Sequence, residues 1–176
     1  MLEDREALWQ QRQQQLGAIA AFAMKGRLGL KTPDDAWSAS IQWAQKEALY
    51  KMRIIAPLGQ GTYELTGGNG QVSLLTAEDE TYQADDPDTL MQGTLGWSVP
   101  VTGMRYWIIG LPDPEAGTER LLLDEFGRIE QLQQDGWSVE ISRYQDYQQY
   151  QLPAKIEMIN QDLKVRIVIK DWVRVL

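Results

Sequence analysis

Apolar side chains recur at every second position along most of this chain, and that spacing commits it to β-structure. Successive side chains of an extended strand point to opposite faces, so alternation buries one face and wets the other. Phe22, Met24, Gly26, Leu28 and Leu30 share one face; Trp37, Ala39, Ile41 and Trp43 share the next; Ala48, Tyr50, Met52 and Ile54 the one after. Pro33-Asp34-Asp35 and Gln45-Lys46-Glu47 supply the turn residues between them. Tyr63 and Leu65 continue the pattern, and Gly67-Gly68-Asn69-Gly70 predicts a hairpin leading to Val72 and Leu74. Further on come 121–123, a turn at Asp124-Glu125-Phe126-Gly127, 129–132, a turn at Asp135-Gly136, and Trp137, Val139 and Ile141. Ile156 with Met158, then Leu163, Val165, Ile167 and Ile169, form the closing strands, whose polar face carries Lys164, Arg166 and Lys170. Connections this short predict an antiparallel meander of about ten strands. A sheet that wide in a chain of 176 residues must curl, and a curled sheet closes or half-closes around an interior.

Three segments break the alternation. Residues 2–16 are polar and rich in Gln, Glu and Arg, with Gly17 as a stop, which predicts a surface helix with a sparse stripe of Leu8, Leu16 and Ile19. Asp85-Asp86-Pro87-Asp88 ahead of 89–95 reads as a capped helix start. From Pro100 to Ile109, Met104, Trp107, Ile108 and Leu111 fall at i, i+3, i+4 and i+7, an apolar helical stripe that Gly110-Leu111-Pro112 ends. The expected fold is mainly β (α+β): one domain over 1–176, with an N-terminal helix at 1–17 and helices at 86–111 covering the open side of the sheet.

Composition removes most chemistry. The net charge of −8 argues against nucleic acid, whose phosphates need clustered Lys and Arg, and against electrostatic docking to anionic lipid. With no cysteine there is no disulfide, thiol nucleophile or thiolate metal site; with no histidine there is no Ser-His-Asp triad and no His-ligated zinc. The acidic run Glu78-Asp79-Glu80 with Asp85, Asp86 and Asp88 lacks the alternating ligands, central glycine and closing glutamate of a calcium loop, so it reads as helix capping plus a solvated turn. The glycines at 67–70 neither precede Lys and Ser/Thr nor open a helix, which excludes a phosphate loop. No catalytic residue, metal or cofactor is expected. No run reaches the roughly 20 apolar residues of a membrane helix. The start, Met1 to Glu6, lacks an apolar signal core, leaving either a cytosolic protein or a fragment without its export signal.

Two features remain. Ala56-Pro57-Leu58-Gly59 joins the strand-like runs 48–55 and 62–66, with proline suited to the first central position of a type I turn and glycine following the second. That sets Leu58 at the tip, where it either folds back onto a strand or offers a contact point to something apolar. The seven tryptophans and seven tyrosines are the second feature. Inward Trp43, Tyr50, Met52, Met104, Trp107 and Met158 are bulky or pliable, fitting either a filled core or an apolar cavity whose shape adapts to its contents.

Several motifs together resemble the LolB family of outer-membrane receptors for bacterial lipoproteins. They are KGRLGL, YKMRIIAPLGQGTYEL, GWSVPVTGMRYWIIGLP, and GWSVEISRY followed by QLPAKIEMINQDLKVRIVIKDW, in family order from Trp9 onward. The resemblance implies an incomplete β-barrel with a helical lid over an apolar cavity. It implies a non-enzymatic protein that takes acylated lipoproteins from a LolA-type periplasmic carrier and inserts them into the inner leaflet of the outer membrane. Pro57, Leu58 and Gly59 carry over as the membrane-contact loop. Cavity positions carry over as strand and helix faces: Trp43, Tyr50, Met52, Ile54, Met104, Trp107, Ile108, Trp137, Ile141, Met158 and Ile167. Family members are anchored by an acylated N-terminal cysteine at the periplasmic face of the outer membrane. This chain has no cysteine and no lipobox, so it is expected to be a fragment without the anchor, and a monomer. The competing readings are a soluble periplasmic lipid or lipoprotein carrier of the LolA type, and an envelope scaffold with a solid interior.

Overall fold

A computed structural model describes residues 2–56, 61–68, 70–95 and 100–176, the side chains at 2, 3, 88, 94 and 95 excepted. Pro57, Leu58 and Gly59, the expected membrane-contact loop, lie outside the described residues. The elements run α1 (Leu2–Gly17), β1 (Ala21–Lys31), β2 (Ala36–Lys46), β3 (Leu49–Ile55), β4 (Thr62–Gly68), β5 (Gln71–Leu75), β6 (Thr81–Ala84), α2 (Pro87–Leu95), α3 (Val101–Trp107), β7 (Thr118–Leu123), β8 (Ile129–Gln134), β9 (Trp137–Tyr147), β10 (Tyr150–Asn160) and β11 (Leu163–Val175).

The eleven strands form one antiparallel sheet, ordered β6-β5-β4-β3-β2-β1-β11-β10-β9-β8-β7. The sheet curves without closing, and β6 and β7 are its edges. Chain order explains the layout. The first half meanders outward from β1 to one edge, α2 and α3 cross to the other edge, and the second half meanders back until β11 pairs with β1. No described helix is long and apolar enough to cross a membrane.

The alternation read from the sequence is the burial pattern observed. Phe22, Met24, Leu28 and Leu30 of β1 are buried, as are Ala39, Ile41 and Trp43 of β2 and Val165, Ile167 and Ile169 of β11. Strand β6 escaped the sequence pattern because its face is nearly all exposed. Strand β2 also runs to Lys46, so the turn falls at Glu47 and Ala48, with Glu47 at φ 51°.

Two irregularities bend the central strands. The β1–β11 register shifts between Ala23 and Met24 and between Lys25 and Gly26. A Cβ at Gly26 would lie 2.1 Å from the Val168 carbonyl oxygen, so only glycine fits there. On β10, Pro153 precedes a register shift, and its carbonyl accepts a hydrogen bond from the Trp172 indole at 3.1 Å.

Helix α1 caps one end of the sheet by a stripe that keeps the expected Leu16 and Ile19 but not Leu8. Leu8 is exposed, whereas Trp9, Arg12 and Leu16 are buried. Gln15 Nε2 donates to the Gln149 carbonyl and Arg12 Nη2 to that of Gln151, tying α1 to the β9–β10 turn. Burial lowers the pKa of the Arg12 guanidinium, countered in part by Tyr144, over whose ring it lies at 5.5 Å. A long basic side chain can bury its stem this way, which a search for apolar stripes misses.

The outer face carries ion pairs across strands. Glu157 meets Lys164 at 3.1 Å and Arg166 at 3.2 Å. Burial pushes the Glu157 carboxyl up, but the Lys164 hydrogen bond and the charges of Lys164, Arg166 and Lys155 outweigh it and hold it below the ordinary value. A lowered folded-state pKa gives stability that is present above the unfolded value and is lost as pH falls through the folded value. Glu157→Gln should therefore cost about 0.5 kcal/mol near neutrality and flatten the drop in melting temperature below about pH 4.5. An unchanged acid limb would show that these pairs contribute nothing.

Candidate functional site

The interior lies between the inward face of the sheet and the segment that joins its two edges. Strands β2 and β3 supply Trp43, Met52, Tyr50 and Ile54; β9 supplies Trp137 and Ile141; β10 supplies Met158 and β11 Ile167. Met104 and Trp107 come from α3, and Ile108 follows it. All of these expected cavity residues fall in one apolar cluster, in which Tyr50 and Ile54 are partly buried and the others buried. Trp43 stacks edge-on against Phe22, with ring centroids 5.3 Å apart, and Phe22 in turn meets Trp172 at 5.7 Å.

Helix α2 begins where the sequence places a cap. Asp86 Oδ2 accepts from the Thr89 hydroxyl at 2.8 Å and its backbone N–H at 3.3 Å, and Pro87 takes the first helical position, where its missing N–H is harmless. Helix α3 ends at Trp107, and Gly110, at φ 91°, turns the chain away. The Met104, Trp107, Ile108 and Leu111 stripe is buried as expected. Among the described residues a side-chain bond from the Trp107 indole to Gln134 of β8 ties α3 to the sheet.

Two residues that make this contact carry no signal in the sequence. Gly103 has the edge of the Trp107 ring 2.8 Å from where a Cβ would sit, so the indole lies back along its own helix. Gln134, the last residue of β8, is fully buried. Its Oε1 accepts from the Trp107 indole N–H and the Asp113 backbone N–H, both at 2.9 Å. Its Nε2 donates to the Asp113 carbonyl at 3.1 Å and to the Thr118 hydroxyl at 2.9 Å. One side chain thus fastens α3, and the loop after it, to the second half of the sheet. The Trp43 indole is satisfied similarly by Gln45 at 3.0 Å.

A cleft of about 320 Å³ lies between the ends of β3 and β4 and the helices, bordered by Gln45, Tyr50, Gly68, Val101, Arg105 and Tyr106. The Tyr50 ring covers Gly67 of the paired strand, the phenol oxygen 2.3 Å from where a Cβ would sit. At the other end of β3, Ala56 N–H bonds the Gly61 carbonyl at 2.9 Å, closing the strand pair ahead of 57–60.

Solved structures of very different sequence share this open antiparallel sheet with its helices. A LolA superfamily protein from Nitrosomonas europaea superposes with a TM-score of 0.57 at 6% identity, over 96% of this chain and 92% of that one. A putative outer membrane lipoprotein-sorting protein domain from Vibrio parahaemolyticus gives a TM-score of 0.58 at 10% identity, over 98% and 92%. Within that fold the sequence is specific. The family model for outer membrane lipoprotein LolB matches residues 20–172, and this chain belongs to the LolB family. The outer-membrane lipoprotein LolB of Pseudomonas aeruginosa PAO1 is 40% identical over 164 residues, 93% of this chain and 80% of that protein. Its counterpart in Ectopseudomonas mendocina is 36% identical over 179 residues, 97% and 87%.

Proposed function

We propose that this chain receives lipoproteins by their acyl chains and inserts them into the outer membrane, acting at its periplasmic face. The observation that carries this reading is the covering of a pliable apolar interior by α3, whose Met104, Trp107 and Ile108 stripe is buried against it. A sixteen-carbon chain left in water costs on the order of 10 kcal/mol, at roughly 0.8 kcal/mol per methylene. A receptor must therefore enclose the chain until the bilayer takes it. Residues 86–111 act as the lid, moving to admit acyl chains among Trp43, Met52, Met104, Trp107 and Met158. Methionine and tryptophan suit cargoes that share only their lipid group.

Transfer runs downhill in affinity, from a LolA-type carrier to this receptor to the bilayer, without covalent chemistry. The chain works as one lipoprotein-binding unit over 1–176, and Leu58 in the turn after β3 touches the bilayer. Kinship with outer-membrane lipoproteins named LolB favours this over a soluble carrier of the same fold.

The test is displacement of a fluorescent fatty acid, then transfer of an acylated peptide to vesicles. The wild-type chain should bind the probe and give it up to acylated peptide. Leu58→Glu should keep binding and melting temperature within error while transfer falls at least tenfold. No displaceable binding would remove the acyl-handling reading. Loss of several kcal/mol of stability in Leu58→Glu would make Leu58 a core residue instead.

A further inference from the structure

The net charge of −8 hides an uneven surface. On the outer face of the central strands, cations outnumber carboxylates. Register places Lys25 of β1 and Arg53 of β3 in one row, on either side of Gln42, with Asp171 beyond Lys25 and Glu64 beyond Arg53. The next row along β1 holds Arg27, with Lys155 and Arg143 beyond Val168 on β10 and β9. Lys31 extends the patch toward the end of the sheet where 57–60 joins β3 to β4. Strands lie about 4.8 Å apart, so Lys25 and Arg53 stand about 10 Å apart. That is close enough for their fields to add at physiological ionic strength. All but the half-buried Lys155 are exposed, and none of the six forms an ion pair among the described residues. Between Lys25 and Arg53 lies a shallow groove of about 300 Å³ floored by Ala23 and Ala44 and edged by Val173, which is 52% exposed.

We propose that this outer face docks the protein on anionic phospholipid headgroups, a contact separate from the turn that carries Leu58. The charges are spread over four strands rather than gathered on one fixed ligand, which suits a surface of laterally mobile anions. Exposed Val173 and Ile159 among them can enter the headgroup layer. The whole-chain charge argues the opposite, but screening shortens its reach to roughly 10 Å, so the nearest face decides. The proposal rests on the membrane-delivery reading above for its biological setting, though not for its test.

The experiment is flotation of the unliganded chain with vesicles of phosphatidylcholine alone or with roughly a third phosphatidylglycerol. Binding should rise at least fivefold with phosphatidylglycerol and fall at least fivefold between about 50 mM and about 300 mM salt. Arg27→Glu should remove most of the difference; Arg27→Gln, which avoids a new charge, should remove part of it. Arg120→Glu on the edge strand β7, with the same charge change, should leave it intact. Equal binding to both vesicles, or equal losses in Arg27→Glu and Arg120→Glu, would overturn the proposal. So would a patch variant that floats like wild type but loses a complex with an acidic carrier protein. Failure of the acyl-probe experiment with phosphatidylglycerol binding intact would strike the delivery reading and leave this one standing.

Discussion

Trp107→Ala should destabilise the protein by about 4 kcal/mol, read as a lower midpoint in urea unfolding. The indole is 1% exposed, lies over Gly103 and donates to Gln134, so truncation opens a cavity and removes one donor from a buried acceptor. Trp107→Phe separates the two contributions. It keeps most of the volume and loses the N–H, while Gln134 Oε1 keeps the Asp113 N–H, so the cost should be about 1 kcal/mol. Both variants loosen α3 from β8, and Trp107→Ala should weaken fluorescent fatty-acid binding severalfold. If Trp107→Ala unfolds within about 1 kcal/mol of wild type, the indole is not a packed contact and the covering segment is fastened elsewhere. If stability falls but fatty-acid affinity does not, the stripe seals the interior without contributing to its lining.

Gly26→Ala should be nearly as damaging despite adding one methyl group. The new Cβ meets the Val168 carbonyl oxygen at 2.1 Å and the Ile169 Cα at 3.1 Å. Both are backbone atoms of the paired strand and cannot turn aside, so the β1–β11 irregularity must be rebuilt. A loss of about 3 kcal/mol is expected. Gly29→Ala is the control on the same strand: its Cβ would find Arg166 at 3.8 Å, ordinary contact, and stability should change by less than about 0.5 kcal/mol. Equal effects at the two positions would mean that the bulge is not rigid.

The long strands were legible because their buried faces repeat with period two over many residues, as from Phe22 to Leu30 and from Leu163 to Ile169. Strand β6 was not, because Thr81, Tyr82 and Gln83 are all exposed and an edge strand need bury little. At α1 the expected Leu16 and Ile19 pack, but the helix turns Trp9 rather than Leu8 inward, and Arg12, which apolar counting passes over, is buried between Trp9 and Leu16. Within the site, Met104, Trp107 and Ile108 announce themselves by helical spacing, whereas Gln134 sits in a run of glutamines and reads as solvent-exposed. Its importance comes from the loop at Asp113 and from Thr118, which local sequence cannot bring beside it.

The pairing of β1 with β11 sets the order in which the molecule can be made. The first and last strands of the chain are neighbours at the middle of the sheet, and each half-sheet leaves one unpaired edge until the other arrives. A growing chain can assemble β1 to β6 as a meander, but β1 waits for the thirteen residues of β11, the last strand to be synthesised. Closure of the widest loop in the protein is then among the final events, which makes folding slow for its size. A product that stops short of residue 163 leaves β1, at the middle of the sheet, without its β11 partner, so its two half-sheets stay unjoined.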